Sequence, residues 1–237
     1  MPKVSIIIPA KDEEVTLPAV LADINKVTPT LNGWEVEIIV VDDRSTDHTA
    51  ELAKAAGAKV VRNWRKSGKG NALRAGFENA DGDVIAMMDA DYSHRPEELP
   101  LFLEAIQRDG VGLVIGSRVV GGSEEYHHVR ALGNVFLSAS LGLATGRYLS
   151  DALNGFKVFR SEVFTKSKFT SRNFEIEIEI IANTLRRGYT IVEVSSHERA
   201  RAGGEMKSRV VRHGTRFLLR IIYEGFRGVR HAVARAT

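Results

Sequence analysis

Three acidic clusters each follow a short, largely apolar run. Residues 4–8 lead into Pro9-Ala10-Lys11-Asp12-Glu13-Glu14, residues 36–41 end in Asp42-Asp43-Arg44-Ser45, and residues 84–88 end in Asp89-Ala90-Asp91. Apolar runs of this length read as buried strands. Ligands of open α/β sheets bind at the carboxyl ends of such strands. Parallel neighbours would bring all three clusters to one sheet edge, where five or more carboxylates converge. Such a set repels itself unless cations or donors offset it. A hard divalent cation, Mg²⁺ or Mn²⁺, shared with a phosphate ligand is the economical solution. Singly, each cluster is weaker: Asp42-Asp43 could merely cap the next helix, and Asp89-x-Asp91 alone recurs by chance. The 84–88 run has no polar residue, so two carboxylates at its end point to a purpose.

The elements that would carry these residues alternate. Strands are expected at 4–9, 36–41, 59–62, 83–88 and 111–115, with helices at 13–25, 50–56, 70–80 and 96–107 between them. This order predicts an α/β fold with a mostly parallel central sheet and helices on both faces. Beyond it, the spacing predicts helices at 129–144 and 174–187, strands at 152–159 and 190–194, and a long basic amphipathic helix at 209–233. No repeat or Pro/Ser linker divides the 237 residues. We expect one domain over 1–208, with the helix of 209–237 part of it or appended to it.

Composition narrows the function classes. Hydrophobic residues make up 43% and charged residues 27%, which excludes a disordered chain. There is no cysteine, hence no disulfide, thiolate nucleophile or cysteine-held metal; this suits a reducing cytosol. No apolar run reaches the ~20 residues of a bilayer span. The net charge of +3 is uneven: 186–237 holds 12 Lys/Arg against 4 Asp/Glu. A basic end meets phosphates, an anionic membrane or nucleic acid, and the carboxylate-rich site would repel the last. No G-x-G-x-x-G follows the first strand and no G-x-x-x-x-G-K-[ST] exists. Gly68-Lys69-Gly70 reads as a flexible basic loop or plain turn. His127-His128 lack metal-ligand spacing.

The motifs in order resemble glycosyltransferase family 2. They are Val4-x-Ile6-Ile7-Ile8-Pro9-Ala10-Lys11-Asp12-Glu13, Val41-Asp42-Asp43-x-Ser45-x-Asp47-x-Thr49, Gly70-x-Ala72-x-x-x-Gly76, and Met88-Asp89-Ala90-Asp91-x-Ser93-His94-x-Pro96. Gly116-Ser117-Arg118, Asp151-x-x-Asn154-Gly155-Phe156-Lys157, Glu193-Val194 and Arg201-x-x-Gly204-x-x-Lys207 continue the match, which spans residues 3–208. Within the family the likeness is to the dolichyl-phosphate mannose synthase group of polyprenyl-phosphate glycosyltransferases. It implies the GT-A fold of nucleotide-diphospho-sugar transferases. It further implies that Pro9, Lys11 and Glu13 lie along the nucleotide and that Val41 and Asp43 meet base and ribose. Asp89, Ala90 and Asp91 would hold diphosphate and metal, with Ser93 as a weaker metal ligand. Arg118, Arg201 and Lys207 would bind phosphate oxygens.

Glycosyl transfer needs a departing nucleoside diphosphate, whose charge a metal and Arg/Lys side chains stabilise. Asp151 is the candidate remaining carboxylate, as base or as orienter; it could also simply cap a strand. Arg201 and Lys207 would bring two anions into one site. The expected reaction is inverting transfer of a hexose, from GDP-mannose or UDP-glucose, to a polyprenyl or dolichyl phosphate. The protein would sit peripherally at the cytoplasmic face of a membrane, docked through the basic helix on anionic lipid. A soluble saccharide or polyol acceptor is the alternative, and a nucleotide-binding regulator without turnover is a third reading. Packing of the helix on the protein's own core competes with membrane docking.

Overall fold

The computed structural model describes residues 1–124, 128–201 and 210–236. Among them, seven strands form one sheet: β1 (Lys3–Ala10), β2 (Glu35–Asp42), β3 (Lys59–Arg62), β4 (Val84–Met87), β5 (Val111–Ser117), β6 (Lys157–Arg160) and β7 (Thr190–Ser195). Their order is β3-β2-β1-β4-β6-β5-β7. Every neighbouring pair is parallel except the two made by β6, which runs against both β4 and β5. The expected mostly parallel sheet is therefore present, with one reversed strand in its middle. That reversal puts the start of β6 at the same edge as the ends of the other six strands.

Alternate residues of the strands feed two cores. Ile6, Ile8, Val40 and Ala86 pack with Leu17, Leu21 and Ile24 of α1 (Leu17–Val27) and Phe102 of α4 (Leu99–Ile106). Ile7, Ile39, Ile85 and Met87 pack on the other face, with Leu73 and Phe77 of α3 (Lys69–Glu78) and Ile178 and Ile181 of α8 (Ile176–Arg186). Burying branched and aromatic side chains on both faces leaves little choice of register, because a one-residue slip would exchange the two cores. The second helix between strands is α2 (Thr49–Ala55). Two four-residue helices, α5 (Arg118–Gly121) and α7 (Glu162–Thr165), have no counterpart in the sequence expectation.

The expected strand over 152–159 shrinks to β6. Asn154 is the reason: its side chain accepts from the Phe156 N–H at 2.9 Å and donates to the Gly116 carbonyl at 2.6 Å. Residues 151–156 thus form turns at the sheet edge instead of pairing as a ladder.

At the basic end, packing on the protein's own core is what the structure shows. The helix α9 (Val210–Ala236) packs against α6 (His128–Thr145) and α8. Phe217, Leu218 and Ile221 pack into the second core, and a Cβ on Gly225 would stand 3.3 Å from the Ala144 Cβ. Docking of the basic helix on lipid would turn its arginines outward, whereas Arg220 turns inward. It pairs with the buried Glu179 and, at 2.6 Å, with the buried Glu224. Arg186 meets Glu224 at 2.5 Å and Arg227 approaches it at 3.6 Å. Two buried carboxylates require cations beside them, so the arginines are drawn into the α8–α9 interface. Leu219, Ile222, Tyr223 and Phe226 are left exposed.

Removing one partner of a buried ion pair costs about 3–5 kcal/mol, because the other charge stays buried and alone. Arg220→Met is expected to lower unfolding stability by about that amount. Arg216→Met, at a residue with no ion partner among those described, should stay within about 0.5 kcal/mol of wild type. Urea denaturation of the three proteins checks both values.

Candidate active site

Among the described residues, three that are not glycine adopt left-handed backbone conformations, and each follows one of the adjacent strands β1, β2 and β4. Asp12 (φ 53°) follows β1, Arg44 (φ 65°) follows β2 and Tyr92 (φ 67°) follows β4. Such conformations cost of order 1 kcal/mol or more and persist where surrounding bonds enforce them. The Asp12 carboxylate accepts from the Thr46 N–H at 2.7 Å, and the Asp12 N–H donates to Ser45 Oγ at 3.1 Å. The Tyr92 hydroxyl donates to Asp23 at 2.8 Å. These tight turns set the floor of one edge, where the acidic clusters arrive.

The acidic clusters reach one edge without gathering into a single cluster of carboxylates. Among the described residues no three acidic or histidine side chains form a metal-binding group. Each carboxylate has donors of its own. Asp43 accepts from Asn63 (2.6 Å), Ser67 (2.9 Å) and the Gly68 N–H (2.8 Å). Asp89 meets the Lys69 ammonium at 2.7 Å. Asp91 accepts from Ser93 Oγ at 2.6 Å with one oxygen and pairs with Arg201 at 3.1 Å with the other. Burial alone would raise the Asp89 carboxyl, but the charges of Lys69, His94 and Arg201 hold it well below the usual carboxylate range.

Asp151, fully buried, accepts four bonds. Oδ2 takes the Arg118 backbone N–H (3.0 Å) and Nε (2.7 Å); Oδ1 takes Arg118 Nη2 (2.9 Å) and Asn134 Nδ2 (2.8 Å). Burial would raise its pKa, and the bonds and charge of Arg118 overcome that and lower it. Glu193 in turn accepts the N–H groups of Ser150 and Asp151, both at 2.9 Å. Arg118 also reaches Glu198 at 3.0 Å. It spends three of its five N–H donors on these side chains and keeps two.

The other sequence-selected residues are placed as follows. Pro9 stands beside Val41 in the β1–β2 register, and the Val41 side chain lies in the second core, so only its backbone faces the edge. Lys11 donates to Ser67 at 3.1 Å. The Glu13 carboxylate accepts from Thr16 at 2.9 Å. Ala90 and Ser93 are buried. Lys207 and His127 lie outside the described residues. Sequence reasoning passed over Lys69 and Asn134. The glycines on either side of Lys69 were the available signal, since a Cβ on Gly70 would lie 2.7–2.8 Å from the backbone of 171–173.

The family model described as glycosyl transferase family 2 matches residues 5–187. This chain belongs to that family. It is 33% identical to the dolichol-phosphate mannosyltransferase of Pyrococcus furiosus, over 94% of this chain and 65% of the relative. It is 31% identical to the undecaprenyl-phosphate mannosyltransferase of Micrococcus luteus, over 95% of this chain and 98% of the relative. A solved glucosyl-3-phosphoglycerate synthase of Mycobacterium tuberculosis, in complex with Mn²⁺, UDP-glucose and phosphoglyceric acid, superposes with a TM-score of 0.75. Its identity is 26%, over 93% of this chain and 80% of that one. The sheet and its helices are the GT-A fold, and the chain is a glycosyltransferase of family 2.

The residues present fit a hard divalent ion. Asp91 and Ser93 offer only oxygen ligands. Mg²⁺ is commonly held by one or two carboxylates together with substrate phosphates, not by a full protein cage. Among the described residues such carboxylates are present and no full cage is.

Asp151 stays ionised in the fold. Its lowered pKa means that its stabilisation is complete above about pH 4, the ordinary aspartate value, and is lost as the pH falls through the depressed folded value. Asp151→Asn removes that term. The variant is expected to be less stable at pH 7 and to show a flatter loss of stability below pH 4. Thermal unfolding across pH 2–7 provides the measurement.

Proposed function

We propose that this glycosyltransferase moves a hexosyl group, with inversion, from a nucleoside diphosphate sugar to a polyprenyl phosphate at a membrane surface. The observation that carries this reading is the presence of two guanidinium groups at one sheet edge. Arg201 stands on Asp91, and Arg118 is locked on Asp151 with two N–H donors unspent. One cation suits the donor diphosphate and the other suits a second phosphate. The relatives named as acting on dolichol phosphate and undecaprenyl phosphate support a lipid phosphate as that second anion.

The chain's own residues then divide the work. Pro9, Lys11, Glu13, Val41 and Asp43 would line the nucleotide. Asp89, Ala90 and Asp91 would border the diphosphate, with Asp91 and Ser93 toward a Mg²⁺ or Mn²⁺. When bound, that ion supplies charge to the departing diphosphate. Arg201 would move from Asp91 onto phosphate oxygens, and we retain Lys207 for the same task. A phosphate acceptor is already an ionised nucleophile. Asp151, with four bonds accepted, therefore serves by fixing Arg118 and not by taking a proton.

The exposed apolar residues support membrane contact. Leu132, Val135, Phe136 and Leu143 of α6, and Leu219, Ile222, Tyr223 and Phe226 of α9, all face solvent. The two helices touch where Gly225 meets Ala144. An open pocket of about 410 Å³ lined by Arg172, Arg216, Leu219 and Tyr223 borders the α9 face. Apolar side chains edged with arginines suit a segment lying in an anionic interface. Among the described residues no helix is long and apolar enough to cross a bilayer. We assign the protein to the cytoplasmic face, in keeping with a chain without cysteine.

Radiolabelled GDP-mannose and UDP-glucose, offered with Mn²⁺ and polyprenyl phosphate, should yield organic-extractable label with one donor. Asp91→Ala and EDTA should each abolish it while the far-ultraviolet spectrum is retained. Label that enters phosphoglycerate or a free sugar and never the lipid would favour the soluble-acceptor alternative. In co-sedimentation with anionic vesicles, Phe136→Ser, Leu219→Ser and Phe226→Ser combined should release the protein and spare nucleotide binding. Equal pelleting of variant and wild type would refute docking through this face.

A further inference from the structure

Behind the acidic pair runs a line of alternating charges that the proposed chemistry does not use. Lys157, the first residue of β6, is fully buried. Its ammonium lies 2.7 Å from Glu177 Oε2 and also donates to the Asn154 carbonyl. Glu177, in the first turn of α8, is itself buried, and its other oxygen stands 3.2 Å from the Lys69 ammonium. Lys69 opens α3 and reaches Asp89 at 2.7 Å. The order is Lys157, Glu177, Lys69, Asp89. The line balances only when Asp89 is counted, since the first three members sum to one positive charge.

Two glycines clear the path. A Cβ on Gly155 would stand 2.7 Å from Asp89 Oδ2 and 3.1 Å from Lys69 Nζ. A Cβ on Gly70 would collide with the backbone of 171–173, so glycine there lets the start of α3 seat Lys69 against the α8 side. Buried ion pairs are poor devices for stability, because well-packed apolar residues commonly do as well or better. A line of four charges ending on a donor-site carboxylate is therefore better explained by placement than by stability. Burial would lower the Lys69 ammonium, but the charges of Asp89 and Glu177 outweigh it and raise it, whereas burial pulls the Lys157 ammonium below its ordinary value despite Glu177.

We propose that Glu177 and Lys157 are positioning residues that, through Lys69, fix the Asp89 carboxylate in the donor site. The proposal rests on the donor-site reading above. Neither residue touches substrate; both act by holding the Lys69 ammonium where one hydrogen bond sets the direction of Asp89. Outer partners of this kind typically alter metal affinity by about 10–100-fold when removed.

The test is calorimetric titration of GDP and UDP in the presence of Mn²⁺, well below the unfolding temperature, with unfolding midpoints recorded in parallel. Glu177→Gln is expected to weaken nucleotide binding by about tenfold. Should that variant fail to fold, the paired change Glu177→Met with Lys157→Met removes both charges together and serves instead. Adding either change to Lys69→Met should cause no further loss, because the relay acts only through Lys69. Wild-type affinity in a relay variant whose midpoint has fallen would show a purely structural role and overturn the proposal. Additive losses with Lys69→Met would overturn it too. No binding of either nucleotide by the wild type would overturn the donor-site reading, and this proposal with it.

Discussion

A carboxylate withdrawn from water must be matched by a donor or a cation, and this requirement organises the whole sheet edge. Asp89 recruits Lys69 from the start of α3, Asp91 recruits Arg201 from beyond β7, and Asp151 recruits Arg118 from the end of β5. Asp43 draws in the 63–68 loop through Asn63, Ser67 and Gly68. Each match joins segments far apart in the chain. Folding the edge and building the site are therefore one event. A substitution at any of these carboxylates would disturb the path of the partner segment as well as the charge of the site.

The strands and their acidic ends were legible because both depend on local pattern. An apolar run buried on two faces, stopped by acids, has few other interpretations, and β1, β2 and β4 fall where those runs fall. The GT-A fold was implied by the family resemblance that the ordered motifs carry. The sequence could not reveal which cation serves which carboxylate. Lys69 looked like a loop lysine because its two carboxylate partners lie 20 and 108 positions further along the chain. The 152–159 segment looked like one strand because Leu153, Phe156 and Val158 are apolar, whereas Asn154 binds backbone on both sides and holds 151–156 in turns.

The long C-terminal helix shows the limit of periodicity as evidence. Its arginines and apolar residues segregate on a wheel, a pattern that fits a membrane or a protein core equally well. What decided the orientation was Glu179 and Glu224, two acids on different helices that are both buried. Arg220 lies between them and ties α9 to α8. The exposed apolar residues are then those left over, Leu219 and Phe226 among them. An inward-facing arginine and an outward-facing leucine on one helix are consequences of the same two glutamates.

The saturation of Asp151 bears on what kind of acceptor this architecture suits. A hydroxyl acceptor needs a base within reach, and a base needs a free lone pair and a pKa near the working pH. Asp151 has neither: its oxygens accept four bonds and its pKa is lowered. A phosphate monoester needs no base, because it arrives ionised. Its difficulty is electrostatic, since it must approach a donor that already carries a diphosphate. In the proposed reading, Arg118 answers that difficulty. The locked side chain retains two N–H donors and is partly open to solvent, and holding it in place beforehand removes the entropic cost of ordering it at the moment of binding. A buried acid that keeps a guanidinium aimed and charged is more useful to an anionic nucleophile than an acid free to accept a proton.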